Sequence, residues 1–310
     1  MKKHVQKKQP ELAFPIDISN KDEVIENLKE ITNRDEQTIR EKLRLEFEQP
    51  GANVVRAFQE RKLTPFVWDE KLIDFYTQSD AFLFELIFWN NNSCKRRMRS
   101  YIGKYIEKYL GRNQKILCIG DGLGIDSFYY AQRQHEVTYY EVSGFSERFA
   151  SKMFSLAKAK IKMVSDTKEI PSQYYDVIMC LDVLEHINDV PAYLKKIVSF
   201  LRPGGILIVH APFYMIHPSN PTHLKVNRKY SGRLDLYNQA NLKLVNGRFF
   251  WNPLFFEKVS DDNKSAKPQR SAFGMFAIKL GGLYLSLGRF SVWPFLWIDY
   301  YRKNHNREME

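Results

Sequence analysis

The chain has 310 residues, enough for about two domains of ~150 residues each, or for one domain with a sizeable extension. Apolar residues make up 44% and charged residues 27%, a balance that excludes collagen-like, coiled-coil and wholly disordered proteins. The net charge of +11 favours acidic partners in general but identifies none of them.

The cysteines and the amino terminus bear on the compartment. Cys94, Cys118 and Cys180 form no CxxC pair, so neither a disulfide scaffold nor a cysteine-based zinc finger is expected, and a reducing, cytoplasmic compartment is favoured. The basic first residues have no apolar segment behind them and do not predict a secretory signal. An uncharged apolar run of about 18 residues, as a membrane-spanning helix requires, is not present.

The first 110 residues are predicted to be helical and to act as a substrate-binding lid. Asn20, followed by acidic residues, predicts the start of a helix that carries its apolar residues on one face. A second helix is predicted from Asp35 to Phe47. Residues 81–89 are apolar on nearly every side, which is typical of a helix buried between two bodies.

A basic run, Lys95-Arg96-Arg97-Met98-Arg99, follows this apolar segment. It indicates either a patch for phosphate or nucleic acid, or the solvated face of a helix. Four charges without an aromatic platform are a weak signal for nucleic acid. The solvated helix face is therefore favoured, and nucleic acid is not expected as a partner.

From Gln114 onward, short apolar runs alternate with helical segments, which is typical of βαβ units on a parallel sheet. The predicted parallel strands are Lys115–Ile119, Glu136–Tyr140, Ile161–Val164, Asp176–Leu181 and Ile206–Ala211. Pieces at Lys243–Val245 and Phe249–Phe256 are expected to add an antiparallel edge. The predicted fold class is α/β, a Rossmann-like, mostly parallel sheet with helices on both faces, preceded by the helical region.

The carboxyl-terminal extension is aromatic-rich between Ala272 and Tyr301, after a polar loop at Ser260–Arg270. Its interrupting charges and the Gly281-Gly282 pair argue against a spanning helix. The segment either folds back over the helical region or forms a homodimer contact, or it lies as a peripheral surface in a membrane interface. Burial is favoured, because the segment lacks the charged opposite face of an interfacial helix.

A glycine loop, Gly120-Asp121-Gly122-Leu123-Gly124, follows the first predicted strand. Glycines are needed where a strand turns sharply into a helix and the backbone approaches a ligand. The dinucleotide fingerprint G-x-G-x-x-G would require glycine at the position of Ile125. The observed spacing G-x-G-x-G instead fits a nucleoside ligand without a pyrophosphate.

Two acidic residues follow the next two strands. Glu141 ends the second strand, about 20 residues after the glycine loop, where a carboxylate can accept both ribose hydroxyl protons. Asp166 follows the third strand and could accept a hydrogen bond from an exocyclic amine such as that of adenine.

Two further segments complete the pattern: D-V-L-E-H at residues 182–186 and L-R-P-G-G at residues 201–205. With these motifs in this order, the chain resembles class I S-adenosylmethionine-dependent methyltransferases of the type 11 and type 23 group. The resemblance implies S-adenosyl-L-methionine as the cofactor. It also implies cofactor contacts from Gly120, Asp121, Gly122 and Gly124 near the methionine part, Glu141 at the ribose, Asp166 at the adenine amine, and Leu181 and Asp182 at the far wall.

The chain departs from the family pattern at two positions. The acid that is common two residues before the first glycine is Cys118, which is expected to pack as a small buried hydrophobe. The ribose acid is Glu141 where Asp is commoner. Neither departure argues against a working cofactor site.

A hydroxyl acceptor needs a general base, and histidine is the usual choice near neutral pH. His186, His210, His217 and His223 lie near the carboxyl ends of the fourth and fifth strands, the edge where ligands bind in open α/β sheets. His210 is expected to be a satisfied core residue and His217 a surface residue. His223, and after it His186, are the predicted catalytic residues.

A metal is the alternative at these histidines. Asp182-x-x-Glu185-His186 with His223 is similar to the E-x-x-E-H and distal histidine set of some metal-assisted O-methyltransferases. The same letters occur in many relatives without metal, so a metal-free site is expected.

The expected function is O-methylation of a small molecule, such as a sugar, a glycan or a secondary metabolite, by direct displacement. The alternatives are an RNA or protein methyltransferase and a non-catalytic cofactor-binding partner subunit. The expected domains are the helical lid at 1–110, the cofactor-binding domain at 111–260 and the extension at 261–310.

Overall fold

The computed structural model of the chain describes residues 14–259 and 270–291, with side chains described up to residue 287. Six helices precede the first strand: α1 Lys21–Thr32, α2 Glu36–Glu48, α3 Ala52–Glu60, α4 Lys71–Gln78, α5 Ala81–Asn91 and α6 Ser93–Tyr109. The later helices are α7 Ile125–Ala131, α8 Phe145–Leu156, α9 Val190–Phe200, α10 Asp235–Asn238 and α11 Ala272–Ser291. The strands are β1 Lys115–Ile119, β2 Glu136–Tyr140, β3 Ile161–Val164, β4 Tyr175–Leu181, β5 Leu201–His210, β6 Leu242–Gly247 and β7 Leu254–Lys258.

The strands form one sheet in the order β3-β2-β1-β4-β5-β7-β6. The first five of these strands run parallel, whereas β7 is antiparallel to both β5 and β6. The chain order reverses between β1 and β4, which is where ligands bind in sheets of this kind. The predicted fold class and its antiparallel edge are confirmed.

The start of β5 differs from the prediction. The sequence predicts a strand from Ile206, but β5 already begins at Leu201. The pairing with β4 shifts register here, from Tyr175 opposite Leu201 to Val177 opposite Ile206. The Pro-Gly-Gly residues therefore form a bulge-like irregularity in the pairing of β4 and β5.

The helix α1 shows why the sequence pattern predicts the helical region well. The side chain of Asn20 accepts a hydrogen bond from the amide of Asp22, so it caps the helix, and the first turn is acidic. Val24, Ile25 and Leu28 are buried on one face. These residues belong to one buried cluster with Leu83, Phe84 and Ile87 of α5 and with Leu123 and Phe149 of the sheet domain. The prediction that α5 is buried between two bodies is correct.

The helix α6 packs directly on the sheet. Met98, Ile102 and Ile106 lie in one buried cluster with residues of β1, β4 and β5. This contact joins the end of the helical region to the sheet, because α6 leads straight into β1.

The described part of the extension forms α11, which packs near Trp251 rather than over the helical region. The Trp251 indole Nε1 donates to the carbonyl of Ile278 at 2.9 Å, and the Ser231 hydroxyl donates to the carbonyl of Leu285 at 3.1 Å. The other face of α11 is exposed and carries Phe273, Phe276, Leu280, Leu283, Tyr284 and Leu287. The predicted loop at 260–269 and the segment from 292 onward lie outside the described residues. Within the described part of the chain, no helix combines the length and apolarity that a membrane crossing requires.

The docking of α11 makes a prediction about Gly281. A Cβ at this position would lie 1.7 Å from the carbonyl oxygen of Phe249, so Gly281→Ala must displace the helix. Overpacking costs about 1–3 kcal/mol and exceeds the gain of about 1 kcal/mol in helix propensity. The free energy of unfolding in urea should fall by up to about 2 kcal/mol. Leu280→Ala, on the exposed face, is the control and should change it by less than about 0.5 kcal/mol; equal effects would contradict this docking.

Candidate active site

The glycine loop adopts the backbone that its sequence predicts. Gly120 has φ 65° and Gly122 has φ 56°, in the left-handed region that favours glycine. A Cβ at Gly120 would lie 2.5 Å from Val183, and a Cβ at Gly122 would lie 2.6 Å from Leu86 of α5. The loop is therefore in contact with the segment after β4 on one side and with the helical region on the other.

Glu141 lies next to this loop, as predicted. Its carboxylate accepts hydrogen bonds from the amide of Gly122 at 2.8 Å and from its neighbour Val142 at 3.0 Å. Burial raises the pKa of Glu141, and the hydrogen bond from Gly122 opposes this shift. The end of β2 and the glycine loop are thus joined through one carboxylate, and ribose binding by Glu141 stays a prediction.

Asp121 is engaged with the helix that follows. Its carboxylate accepts the amides of Asp126 at 3.1 Å and Ser127 at 2.6 Å, at the start of α7. Burial and the charge of Asp126 raise the pKa of Asp121 to about 7. Cys118, where relatives commonly carry an acid, is buried as expected. The acid that organises this turn is therefore Asp121, inside the loop.

Asp166 lies at the same edge of the sheet, beyond Glu141 in strand order, because β3 is the neighbour of β2. Its side chain is exposed and accepts the amide of Lys168 at 2.9 Å, which begins the short turn Thr167–Glu169. Adenine recognition by Asp166 stays a prediction.

Asp182 is the centre of a network of partners from three parts of the chain. It follows Leu181 at the end of β4 with a left-handed φ of 61°. Its carboxylate contacts His210 Nδ1 at 2.6 Å, Trp89 Nε1 at 3.1 Å and Lys95 Nζ at 3.4 Å. Burial raises the pKa of Asp182, but His210 and Lys95 outweigh burial and hold the pKa below its usual value. His210, predicted as a satisfied core histidine, is hydrogen-bonded but belongs to the site.

The basic run is only partly a solvated helix face. Arg96 and Arg97 are exposed, as expected, but Lys95 and Arg99 are 6% and 8% exposed, so the prediction is wrong for these two. Both turn inward because Asp126 is buried there: Arg99 Nε lies 2.5 Å and Lys95 Nζ 3.4 Å from its carboxylate. The sequence does carry a signal for this inward orientation. Lys95 and Arg99 are four residues apart, so both lie on the helix face that also carries the apolar residue Met98.

The two predicted catalytic histidines come together. The rings of His186 and His223 lie 4.8 Å apart, edge to face. Burial lowers the pKa of His186 to about 4, and burial with the neighbouring His186 lowers the pKa of His223 to about 3. His217 instead contacts Ser219 two residues away, in a local turn. The neighbouring Val183 contacts Gly120, so the segment 182–186 runs from the glycine loop to the histidine pair.

The helical region covers this edge of the sheet with one face of α5 and the end of α4. Leu86 lies over Gly122, Trp89 binds Asp182, and Phe82 stacks on Tyr76. The hydroxyl of Tyr76 lies 3.1 Å from His186 Nδ1. Nothing in the sequence singles out Tyr76 or Trp89, because their roles depend on contacts about 100 residues away along the chain. The role of the helical region as a substrate-binding lid stays a prediction.

Glu85 lies on the same face of α5 and is half-buried. Burial, together with the charges of Glu46 and Asp182, raises the pKa of Glu85 to about 8.

A separate cavity of about 280 Å³ lies among α1, α2, α5 and α6, with Lys21, Phe47 and Arg96 in its lining. None of the predicted site residues lines that cavity.

A family model described as "Methyltransferase domain" matches residues 94–249, half of the chain. The chain belongs to this family. The match begins in α6 and ends after β6, so it contains the glycine loop, Glu141, Asp182 and both histidines. It confirms the resemblance to class I S-adenosylmethionine-dependent methyltransferases and the enzyme class that the resemblance implies.

Curated relatives match over shorter stretches. The ubiquinone biosynthesis O-methyltransferase of Rhodopseudomonas palustris is 41% identical over 39 residues, 13% of this chain and 15% of the relative. Phosphoethanolamine N-methyltransferase 1 of Zea mays is 31% identical over 128 residues, 38% of this chain and 24% of the relative. The matched segments are thus less than a quarter of the length of these two relatives.

Among solved structures, the chain is similar to a methyltransferase of Burkholderia thailandensis with bound 1,6-didemethyltoxoflavin and S-adenosylhomocysteine. The TM-score is 0.42 at 16% identity, over 56% of this chain and 81% of the other.

The network around Asp182 and Asp126 makes a prediction about Lys95. Lys95→Met removes the cation that lies between the two buried carboxylates and leaves each with one partner fewer. A hydrogen bond to a buried charge contributes about 1.5–3 kcal/mol, so the free energy of unfolding should fall by about 2 kcal/mol. Arg97→Met on the exposed face of the same helix is the matched control. A Lys95 variant as stable as the control would show that the carboxylates do not need this cation.

Proposed function

We propose that this chain transfers the methyl group of S-adenosylmethionine to a hydroxyl group of a small molecule. The observation that carries the proposal is the course of the segment 182–186. Val183 of this segment contacts Gly120 in the glycine loop, and three residues later His186 pairs with His223. A cofactor on the glycine loop would therefore present its methyl group near unprotonated imidazoles.

The chemistry needs little more than alignment and the removal of a proton. The positive sulfur already activates the methyl carbon, so the protein mainly holds the acceptor oxygen, the carbon and the sulfur in line. A hydroxyl acceptor must also lose its proton. The low pKa values of His186 and His223 keep both rings neutral at pH 7, so each has one nitrogen with a free lone pair, while the same shift makes both rings weaker bases than an exposed histidine.

The helix α5 covers one side of the site, and this favours a small-molecule acceptor rather than a polymer. Leu86 and Trp89 pack directly onto the glycine loop and Asp182, so this side of the site is closed by side chains. A polymer would need an open groove with basic walls. Lys95 and Arg99, which would contribute to such a wall, are committed to buried carboxylates instead.

A second candidate is methylation of an amine. The Asp182 carboxylate lies at this edge, its pKa is held low by His210 and Lys95 despite burial, and its negative charge attracts a cationic acceptor. Phosphoethanolamine N-methyltransferases are among the similar proteins, which supports the same candidate. Matched acceptors that differ only in a hydroxyl or an amino group would separate the two.

The acceptor class can be tested with a labelled methyl group. The purified full-length chain is incubated with tritiated S-adenosylmethionine and an extract of its source cells. We expect the label in the fraction below ~3 kDa, resistant to nuclease and protease. Label in a nuclease- or protease-sensitive polymer would favour an RNA or protein methyltransferase, and cofactor binding without any product would favour a non-catalytic subunit.

Glu141→Gln tests the cofactor site. Glutamine keeps an oxygen for the amide of Gly122 but removes the charge, whereas alanine would also disturb the loop. Loss of charge-assisted hydrogen bonds of about 1.5–3 kcal/mol should weaken S-adenosylhomocysteine binding by at least about tenfold in calorimetry. Glu136→Gln, at the other end of β2, should leave the affinity unchanged. An affinity within twofold of the unmodified protein in both variants would exclude Glu141 from the cofactor site.

His223→Ala, and after it His186→Ala, test the removal of the proton. Loss of a general base lowers turnover by a factor of about 10² to 10⁴. S-adenosylhomocysteine affinity, measured by calorimetry, should change little, because neither ring contacts the glycine loop residues. Full turnover on the accepted substrate in both variants would show that alignment alone carries the reaction or that another residue takes the proton.

A further inference from the structure

His186 and His223, the predicted catalytic histidines, share their cluster with a third group, Glu185. One ligand atom from each of Glu185, His186 and His223 lies within 4.8 Å of the other two. Glu185 and His186 belong to the short turn after β4, and His223 to the loop after β5. The amide of Leu224 donates to the carbonyl of Glu185 at 3.0 Å, which joins the two segments at this point.

Asn227 strengthens that junction. It is 1% exposed, and its side-chain amide donates to the carbonyls of Glu185 at 3.2 Å and Ile187 at 2.8 Å. The backbone around the cluster is therefore fixed by hydrogen bonds that do not involve the three clustered side chains. Such support from outside is what a preformed ligand site requires.

Hydrogen bonds set the tautomer of both histidines. His223 Nδ1 lies 2.7 Å from the carbonyl of Met215, and His186 Nδ1 lies 3.2 Å from the carbonyl of Thr222. A carbonyl only accepts, so His223 carries its hydrogen on Nδ1 and presents a lone pair on Nε2. His186 takes the same tautomer when its Nδ1 hydrogen is donated to Thr222, and the Tyr76 hydroxyl, 3.1 Å from that nitrogen, then acts as an acceptor. A ring N–H donated to a backbone carbonyl, with the other nitrogen free to bind, is the usual arrangement of a metal-ligating histidine.

Glu185 is a buried acidic group for which a bound cation would be a suitable partner. Its side chain is 1% exposed, and neither carboxylate oxygen has a hydrogen-bond partner among the described residues. Its contact with His186 Nε2 is 3.9 Å, beyond hydrogen-bond length. A buried carboxyl group without a partner is costly in either protonation state, and a metal ion would satisfy it.

We propose that Glu185, His186 and His223 bind a divalent transition metal of the zinc class. Two imidazole nitrogens and one carboxylate oxygen suit such an ion and leave one or two positions for water or an acceptor oxygen. At tetrahedral ligand distances of about 2.0–2.2 Å, ligand atoms lie about 3.3–3.6 Å apart, so the widest pair of ligand atoms needs to close by about 1.2–1.5 Å. The His186 side chain is 20% exposed, which gives the ion and the acceptor an approach.

The catalytic part of this inference rests on the proposed function. A metal-bound acceptor hydroxyl has a lowered pKa and loses its proton to solvent. Its oxygen then forms the bond to the methyl carbon, while the carbon–sulfur bond breaks and leaves its electron pair on sulfur, so S-adenosylhomocysteine is released. In this arrangement the histidines are ligands, and the metal replaces the general base.

Metal binding is tested without cofactor or acceptor. The full-length protein is stripped with a chelator and titrated with Co²⁺, followed by visible absorption, and with Zn²⁺, followed by calorimetry. We expect one ion per chain. Glu185→Gln and His223→Gln should each weaken binding by at least about 10–100-fold. His217→Gln, in the same loop but outside the cluster, is the matched control and should bind as the unmodified protein does.

X-ray absorption of the Co²⁺-loaded unmodified protein tests the site even where a variant fails to fold. A first shell with two imidazole nitrogens supports the proposal. No stoichiometric binding, binding that both cluster variants retain, or a first shell without imidazole would overturn it. Metal binding in a protein without methyl transfer would leave the metal site standing and refute the proposed function. Full methyl transfer after chelation would refute the metal's catalytic role and leave the proposed function standing.

Discussion

The placement of the Asp182 carboxylate is the constraint on which the rest of the site depends. It lies at the end of β4 in a left-handed conformation and receives His210 from β5, Trp89 from α5 and Lys95 from α6. The sheet and the helical region are therefore joined at the residue that begins the segment 182–186. Lys95 extends this junction to Asp126 at the start of α7, directly behind the glycine loop.

Among the described residues, some of the carboxyl groups at this edge have a cationic partner and one does not, and this difference shows in their pKa values. Asp126 and Asp182 are paired with Arg99, Lys95 and His210, and their pKa values are lowered despite burial. Glu185 is more deeply buried than either, but it has no such partner in the described part of the chain, and burial with the charge of Asp182 raises its pKa well above the usual range. The paired carboxylate of Asp182 and the unpaired carboxyl group of Glu185 are thus only three residues apart in the chain.

Much of the fold follows from local sequence. The bounds of β1, β2 and β3 agree with the prediction, because short apolar runs flanked by turn residues leave few alternatives. The glycine loop and Glu141 are predictable for the same reason, since they lie at fixed positions after strands. The start of β5 is not, because the Pro-Gly-Gly segment is read as a turn unless its pairing with β4 is known.

The contacts across the site depend on distant parts of the chain and are harder to predict. Lys95 and Arg99 look like solvated charges until Asp126 is placed beside them. Tyr76 and Trp89 carry no motif, and only the fold brings them to His186 and Asp182. The histidines were predicted as alternatives for one role, whereas the structure makes them neighbours around Glu185.

Hydrogen–deuterium exchange with and without S-adenosylhomocysteine shows whether the cofactor lies between the glycine loop and the segment 182–186. Bound cofactor should slow exchange at residues 120–126, 141–144 and 182–187 and leave residues 36–48 of α2 unchanged. Protection confined to the cavity among α1, α2, α5 and α6, with the glycine loop unaffected, would contradict this placement.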